Sequence, residues 1–377
     1  MKHRSKVAIM TFHVAHNYGA MLQAYALQKA ICKLGFDCEV LDYRFKYIDQ
    51  WSGMRSRHDL EEEYGIIGGN LRFLHRYVKG YYRNISPIRR KFNRFMRKDI
   101  KLSKKVYFTP DSLQNAKYDV VVFGSDQIWN PELTNGPALE YAGKYFDCSR
   151  IRFVSYAASC GKAAIDEKYK ADFLPLLKKF YAISLREESF TEFLKTEWNL
   201  SAVTVLDPVF LLNYEDWLEV GKKSEIEIEK PYLLIYAFQT DDDIYDVARA
   251  VACEYGLQLV SISYKYEERL SDIIQLTECG PKDFLTLVYR AAFVCTSSFH
   301  GMAFSILFEK DFYCMGHPLY SQRNYDLLKM VGLEERLFYK KTDIHSIKRC
   351  DYLHVAERLE VEKKKSLEFL RGSISHR

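Results

Sequence analysis

Short apolar runs recur along this chain, each closed by a polar turn and most followed by a stretch with helical spacing. One series of such runs covers 7–11, 39–41, 120–123, 153–155, 182–185 and 203–206. After a charged stretch at 221–231, a second series covers 232–238, 257–262 and 293–296. Strands separated by helices return to the same edge of a sheet through crossovers, so they pair in parallel. The opening unit shows the pattern in full. The run at 7–11 leads into a helix over 20–34 that places Leu22, Tyr25 or Ala26, and Ile31 at helical spacing; Gly35 ends it and a strand follows at 39–41. Further helices are expected at 241–255, 281–291, 301–308 and 353–370.

The chain therefore reads as α/β with two doubly wound halves facing across a cleft. An N-terminal domain takes 1–213 and carries a basic helical insertion at about 60–105; a linker takes 214–231, a C-terminal domain 232–350 and a C-terminal helix 351–377. Ligands of open α/β sheets bind beyond the carboxyl ends of the strands, which here border the cleft. A composition 48% hydrophobic with 18 Gly and 9 Pro excludes a disordered or collagenous chain. Nine cysteines with no CxxC pair read as reduced, buried thiols, not as a disulfide framework or a zinc site. No apolar stretch is long enough to span a bilayer, and the run at 7–12 is too short for a signal-peptide core, so a cytoplasmic protein is expected.

The chemistry-bearing residues collect in the turns after the strands. After the first lie His16 and Asn17, set to face a ligand or to serve as loop and helix cap. The turn Gly124-Ser125-Asp126-Gln127-Ile128-Trp129-Asn130-Pro131 offers Asp126 to orient or deprotonate a hydroxyl and Trp129 to stack on a sugar, or else forms a capped turn around a buried Trp. Arg186 ends a strand, where it suits carboxylate or phosphate or pairs with Glu187 or Glu188 at the surface. Thr296-Ser297-Ser298-Phe299-His300-Gly301 opens an apolar helix whose free amides suit a phosphate, with His300 placed to pass a proton. Arg323 is either a second cation of the cleft or a solvated loop residue. There is no HExxH, P-loop, GxSxG or GxGxxG, which disfavours metal hydrolysis, ATP hydrolysis, serine esterase chemistry and a dinucleotide site. No metal ligand set is expected.

These motifs, in this order, resemble the polysaccharide pyruvyl transferase family. The carrying residues are Asn17-Tyr18-Gly19-Ala20, the Gly124–Pro131 run, Ser184-Leu185-Arg186-Glu187, Val205-Leu206-Asp207-Pro208 and Ser297-Ser298-Phe299-His300-Gly301. The resemblance implies a GT-B-like pair of Rossmann-type domains. It implies transfer of an enolpyruvyl unit from phosphoenolpyruvate, as substrate and without further cofactor, to two hydroxyls of one sugar in a surface glycan or its lipid-linked precursor. On that basis His300 and Asp126 are the catalytic candidates. Arg186, Ser297, Ser298, Gly301 and Arg323 are the donor-binding candidates, and His16, Asn17 and Trp129 the acceptor-binding ones. Members of the family carry Arg two residues before the His of the turn; here that position is Ser298. Two other readings stay open: a GT-B nucleotide-sugar glycosyltransferase, and a non-catalytic glycan- or phosphate-binding protein of the same fold.

The formal charge of +5 hides an asymmetry. The stretch that opens at Arg72 and closes at Lys105 holds thirteen Lys/Arg and one acid, which leaves the rest of the chain mildly acidic. Nucleic-acid binding would spread its charge over a whole domain. Bases interleaved with Phe73, Tyr77, Tyr81, Tyr82, Phe92 and Phe95 instead suit peripheral contact with an anionic membrane, at the inner face of the plasma membrane; the alternative is a solvated helical face.

Overall fold

A computed structural model describes residues 5–44, 65, 68, 71, 87–237, 242–317, 321–344 and 349–375. The N-terminal half builds a parallel sheet from β1 (Lys6–Met10), β2 (Asp37–Tyr43), β3 (Leu102–Tyr107), β4 (Val120–Phe123) and β5 (Arg152–Ser155), in the order β3-β2-β1-β4-β5. β6 (Ser184–Leu185) pairs with β7 (Val203–Thr204), and bridges from Val154 to Ala182 and from Ala158 to Leu185 attach this pair beyond β5. The C-terminal half builds a second parallel sheet from β8 (Tyr232–Tyr236), β9 (Gln258–Ile262), β10 (Ile274–Leu276), β11 (Phe293–Thr296), β12 (Asp311–Met315) and β13 (Leu337–Phe338). Its order is β10-β9-β8-β11-β12-β13. Both sheets thus reverse direction beside their first strand, which opens a crevice at that point.

Local signals account for the elements. Asn17 caps the first helix, Tyr18–Lys33, by accepting the Ala20 amide at 3.1 Å. Gly35, at φ +95°, takes the left-handed turn that stops it. Four strands escape the apolar-run pattern. β3 presents Lys104, Lys105 and Val106 to solvent, and β10 and β13 are three and two residues long. β12 is buried, but it begins at Asp311 directly after a helix and a charged turn. The expected linker opens with a packed helix, Tyr214–Gly221, because Trp217 buries its ring there and Thr286 Oγ1 donates to the Gly221 carbonyl at 2.9 Å.

The two halves share one apolar core. Tyr18 stacks on Phe284 at 5.0 Å between centroids, meets Tyr236 and Phe92, and donates its hydroxyl to the Cys279 carbonyl at 2.8 Å. The basic insertion takes part. Its described helix, Pro87–Asp99, turns Phe92, Phe95 and Met96 into this core. Lys91 pairs with Asp283 and Asp99 with Lys282, each at 2.8 Å. Phe92 and Phe95 therefore do not face a membrane; they fasten one domain to the other. Phe73, Tyr77, Tyr81 and Tyr82 lie outside the described residues. The last helix, Leu353–Ile374, returns to the N-terminal half, where Ser366 Oγ accepts the Leu206 amide at 3.0 Å and Arg152 donates to the Ser373 and Ser375 carbonyls. Among the described residues no helix is long and apolar enough to cross a membrane.

A Phe deleted from a filled core costs about 3–5 kcal/mol. Phe92→Ala is expected to lower stability by that amount, with both halves unfolding in one transition. Urea titration read by far-ultraviolet circular dichroism and by tryptophan fluorescence checks this; two separated transitions in the native chain would contradict a shared core.

Candidate active site

β6 delivers Arg186 to the rim of the N-terminal sheet, and the Arg186 amide donates to the Ala158 carbonyl at 3.2 Å. Its guanidinium is almost wholly buried. Nη1 donates to Asp207 Oδ2 at 3.0 Å, Nε reaches Glu187 Oε1 at 3.3 Å, and the ring of Phe299 lies 4.2 Å from the guanidinium carbon. Asp207 follows β7 and has a side chain with no solvent exposure. It also accepts Ser125 Oγ at 3.1 Å and, through Oδ1, the Val209 amide at 3.1 Å. Burial would push its carboxyl up, but the adjacent His300 ring and the Arg186 guanidinium outweigh that and hold it well below the usual carboxylate range. Burial wins at Glu187, whose carboxyl is pushed up despite Arg186 and a 2.6 Å hydrogen bond from Ser159. Removing one partner of such a buried pair costs about 3–5 kcal/mol, because the other charge is left uncompensated.

His300 comes from the other domain. Ser298 caps the Phe299–Leu307 helix by accepting the Gly301 amide at 3.3 Å, which sets the first turn and aims His300 across the boundary. The ring rests on Gly19: a Cβ there would lie 2.0 Å from His300 Nδ1. Nε2 of His300 stands 3.6 Å from Asp207 Oδ2, outside hydrogen-bond reach, and has no hydrogen-bond partner among the described residues. Arg186 Nη2, Glu187 Oε2 and Arg323 Nε are likewise buried without a hydrogen-bond partner among the described residues. Arg323 feels Arg186, Glu187 and Asp126; burial and then the charge of Arg186 pull its pKa down to about 10. A buried donor without an acceptor costs about 1–3 kcal/mol, so two guanidiniums with unspent N–H groups beside an imidazole suit an anion.

The structure thus brings together His300, Arg186, Arg323 and Asp126 among the residues singled out in the sequence. Asp126, at φ +73°, is half-buried and accepts its neighbour's amide, Gln127, at 2.8 Å. His16 is half-buried on the cleft side with an unpartnered Nε2; burial and then the charge of Arg89 pull its pKa down to about 4. Its carbonyl accepts the Tyr264 hydroxyl from the facing domain at 3.2 Å.

Other candidates are spent on structure. Asn17 and Ser298 are helix caps, and the Gly301 amide is used by Ser298. Gly301 is needed because a Cβ would come 2.3 Å from Thr296 Oγ1. The Ser297 amide donates to the Tyr236 carbonyl at 3.2 Å, with its side chain half-buried. Trp129 is fully buried, donates Nε1 to the Tyr141 carbonyl at 2.9 Å and packs edge-on against Phe180 and Phe190. It offers no face to a sugar, which corrects that expectation.

Three contributors carry no site role in the sequence reading. Asp207, Glu187 and Gly19 stand there only within the family motifs, Glu187 also as a surface partner of Arg186.

Two parallel sheets of this strand order, facing across a cleft and recrossed by a C-terminal helix, define a GT-B fold. Solved structures agree. UDP-N-acetylglucosamine 2-epimerase from Rickettsia bellii matches with TM-score 0.51 and 10% identity, covering 99% of this chain and 97% of that one. The Methanocaldococcus jannaschii enzyme of the same name gives 0.51 and 11%, covering 96% and 92%. The one from Neisseria meningitidis, bound to UDP-GlcNAc, gives 0.50 and 10%, covering 96% and 93%. At such identities the likeness concerns the fold alone. No curated protein matches the sequence. The family model for polysaccharide pyruvyl transferase matches residues 17–318, and the chain belongs to that family.

A methyl group at position 19 collides with the imidazole. Gly19→Ala is expected to cost about 1–3 kcal/mol through overpacking and to remove most of the activity by displacing His300. Thermal denaturation and a turnover assay on the folded variant check this; full activity would show that the ring need not sit where it does.

Proposed function

We propose that this chain transfers the enolpyruvyl unit of phosphoenolpyruvate to two hydroxyls of one sugar, giving a pyruvate ketal and inorganic phosphate. The observation that carries the reading is the pair of the buried Arg186 and the half-buried Arg323, each with a buried, unspent N–H, beside the unpartnered Nε2 of His300. A donor with a carboxylate and a phosphate uses two guanidiniums well, because each guanidinium can donate paired hydrogen bonds to one of these anionic groups. Ser298 stands where family members carry Arg and is committed to capping its helix; Arg323 is the cation that takes over.

The reaction balances as follows. The methylene carbon of the donor gains a proton, and one sugar hydroxyl adds to the neighbouring carbon. The C–O bond to phosphate then breaks and the second hydroxyl takes its place. One hydroxyl proton ends in the new methyl group and the other on phosphate. His300 Nε2 moves the proton, with Asp207 stabilising the imidazolium whenever it forms. Asp126 and His16, on the rim, orient the acceptor.

We further propose that the acceptor is a glycan or its lipid-linked precursor, met at the inner face of the plasma membrane. With Phe92 and Phe95 turned inward, Arg90, Arg94, Arg97 and Lys98 remain exposed on the outer side of the Pro87–Asp99 helix. Contact through them is electrostatic, without an inserted side chain, at about 1 kcal/mol per base.

The decisive assay combines purified protein, phosphoenolpyruvate and glycan from a strain lacking the gene. Phosphate release and a new ketal methyl signal in proton NMR are expected, and His300→Ala should lower the rate by about 10²–10⁴-fold with unchanged circular dichroism. Thermal stabilisation by a nucleotide sugar but not by phosphoenolpyruvate would instead favour a glycosyltransferase. For the membrane contact, sedimentation with anionic phospholipid vesicles should fall with rising salt and disappear when the four bases become Gln. Equal sedimentation of the variant would remove that contact.

A further inference from the structure

Arg323 sits on the Gln322–Val331 helix of the C-terminal domain, yet its guanidinium reaches the N-terminal rim, where the like charge of Arg186 repels it and the Glu187 and Asp126 carboxylates attract it. Its helix is fastened to that rim by a further contact. Three residues on, on the same helical face, lies Asp326. Asp326 Oδ2 accepts both the amide of Ser189, at 3.1 Å, and its hydroxyl, at 2.9 Å. Ser189 belongs to the first turn of the Glu188–Thr196 helix, which begins directly after Arg186 and Glu187. First-turn amides have no acceptor within their own helix. The residue that would normally cap this one, Glu187, makes no capping bond, because its carboxylate is turned to Arg186 and Ser159. The missing cap is supplied from the other domain. The second Asp326 oxygen accepts Gln322 Nε2 at 2.7 Å, which fixes the carboxylate from its own helix as well.

We infer that Asp326 is a positioning residue, a latch across the domain boundary that places Arg323 in the donor site. The inference rests on the donor reading above. The latch docks on the same helix start that follows Arg186, so the two guanidiniums are set relative to each other by one contact. Without that contact Arg323 is not held against Arg186, and the anion loses one of its two guanidiniums.

The test is calorimetric titration of phosphoenolpyruvate, and separately of inorganic phosphate, into the full-length protein. The variants are Arg323→Gln, Asp326→Ala, Asp326→Asn, Ser189→Ala and the double Arg323→Gln/Asp326→Ala. A charge-assisted contact of this kind is expected to shift affinity by about tenfold or more. Arg323→Gln and Asp326→Ala should each weaken phosphoenolpyruvate by that factor, and the double variant should be no weaker than Arg323→Gln alone. Asp326→Asn keeps an acceptor for Ser189 and should recover much of the loss. In turnover, the Asp326→Ala defect should fall on KM for phosphoenolpyruvate and not on kcat, which a general loss of packing would not produce. Binding by Asp326→Ala at the native level, or a double variant that is additively weaker, overturns the latch and leaves the donor site standing. Native-level binding by Arg323→Gln, or no binding of either anion by the unaltered protein, overturns the donor reading and the latch together. Should Asp326→Ala not fold, Asp326→Asn and Ser189→Ala decide the matter, the latter with a smaller loss in the same direction.

Discussion

Everything at the centre of this molecule depends on one carboxylate kept ionised without water. Asp207 faces a guanidinium, an imidazole and a serine hydroxyl from three different segments, and a backbone amide of its own turn. An uncompensated charge in such a place would be prohibitively expensive, so the segments must converge for the chain to fold. The Gly124-Ser125 turn, the end of β6 and the Phe299–Leu307 helix all close on it. The residue before it, Leu206, is tied to the C-terminal helix through Ser366. The charge that organises the reaction centre is therefore also the charge that organises the docking of the domains.

Much of this architecture was readable in the residues, and the reason lies in periodicity. β1, β4, β8 and β11 are buried runs of apolar residues, and the first helix carries its own start and stop in Asn17 and Gly35. β3 was not readable because an edge strand can turn lysines to water, and β13 because two residues form no pattern. The site shows the same division. Arg186, His300 and Arg323 announced themselves by chemical type and place. Whether Arg186 pairs at the surface or in the interior turned on Phe299, more than a hundred positions away, covering the guanidinium. Trp129 illustrates the reverse: a large ring in a polar turn looks like a sugar platform until the Phe180 and Phe190 rings are seen around it.

The basic helix shows how composition misleads when charge and apolarity share one element. Counted along the chain, its aromatics and bases look like one membrane-seeking surface. Wound at 3.6 residues per turn, they part into opposite faces, one in the interdomain core and one in solvent. Two roles that seem to compete in the sequence are carried by different sides of the same helix.

The contact between Gly19 and His300 carries a consequence for inheritance. Position 19 has no room for any side chain because the imidazole occupies the space where one would start. Neither residue can drift alone, although one belongs to each domain. A chimera that joined this N-terminal half to the C-terminal half of a relative would be tolerated only where the incoming partner at position 300 respects that glycine. The two domains are in this sense a single heritable unit, matched at one point by the absence of a methyl group.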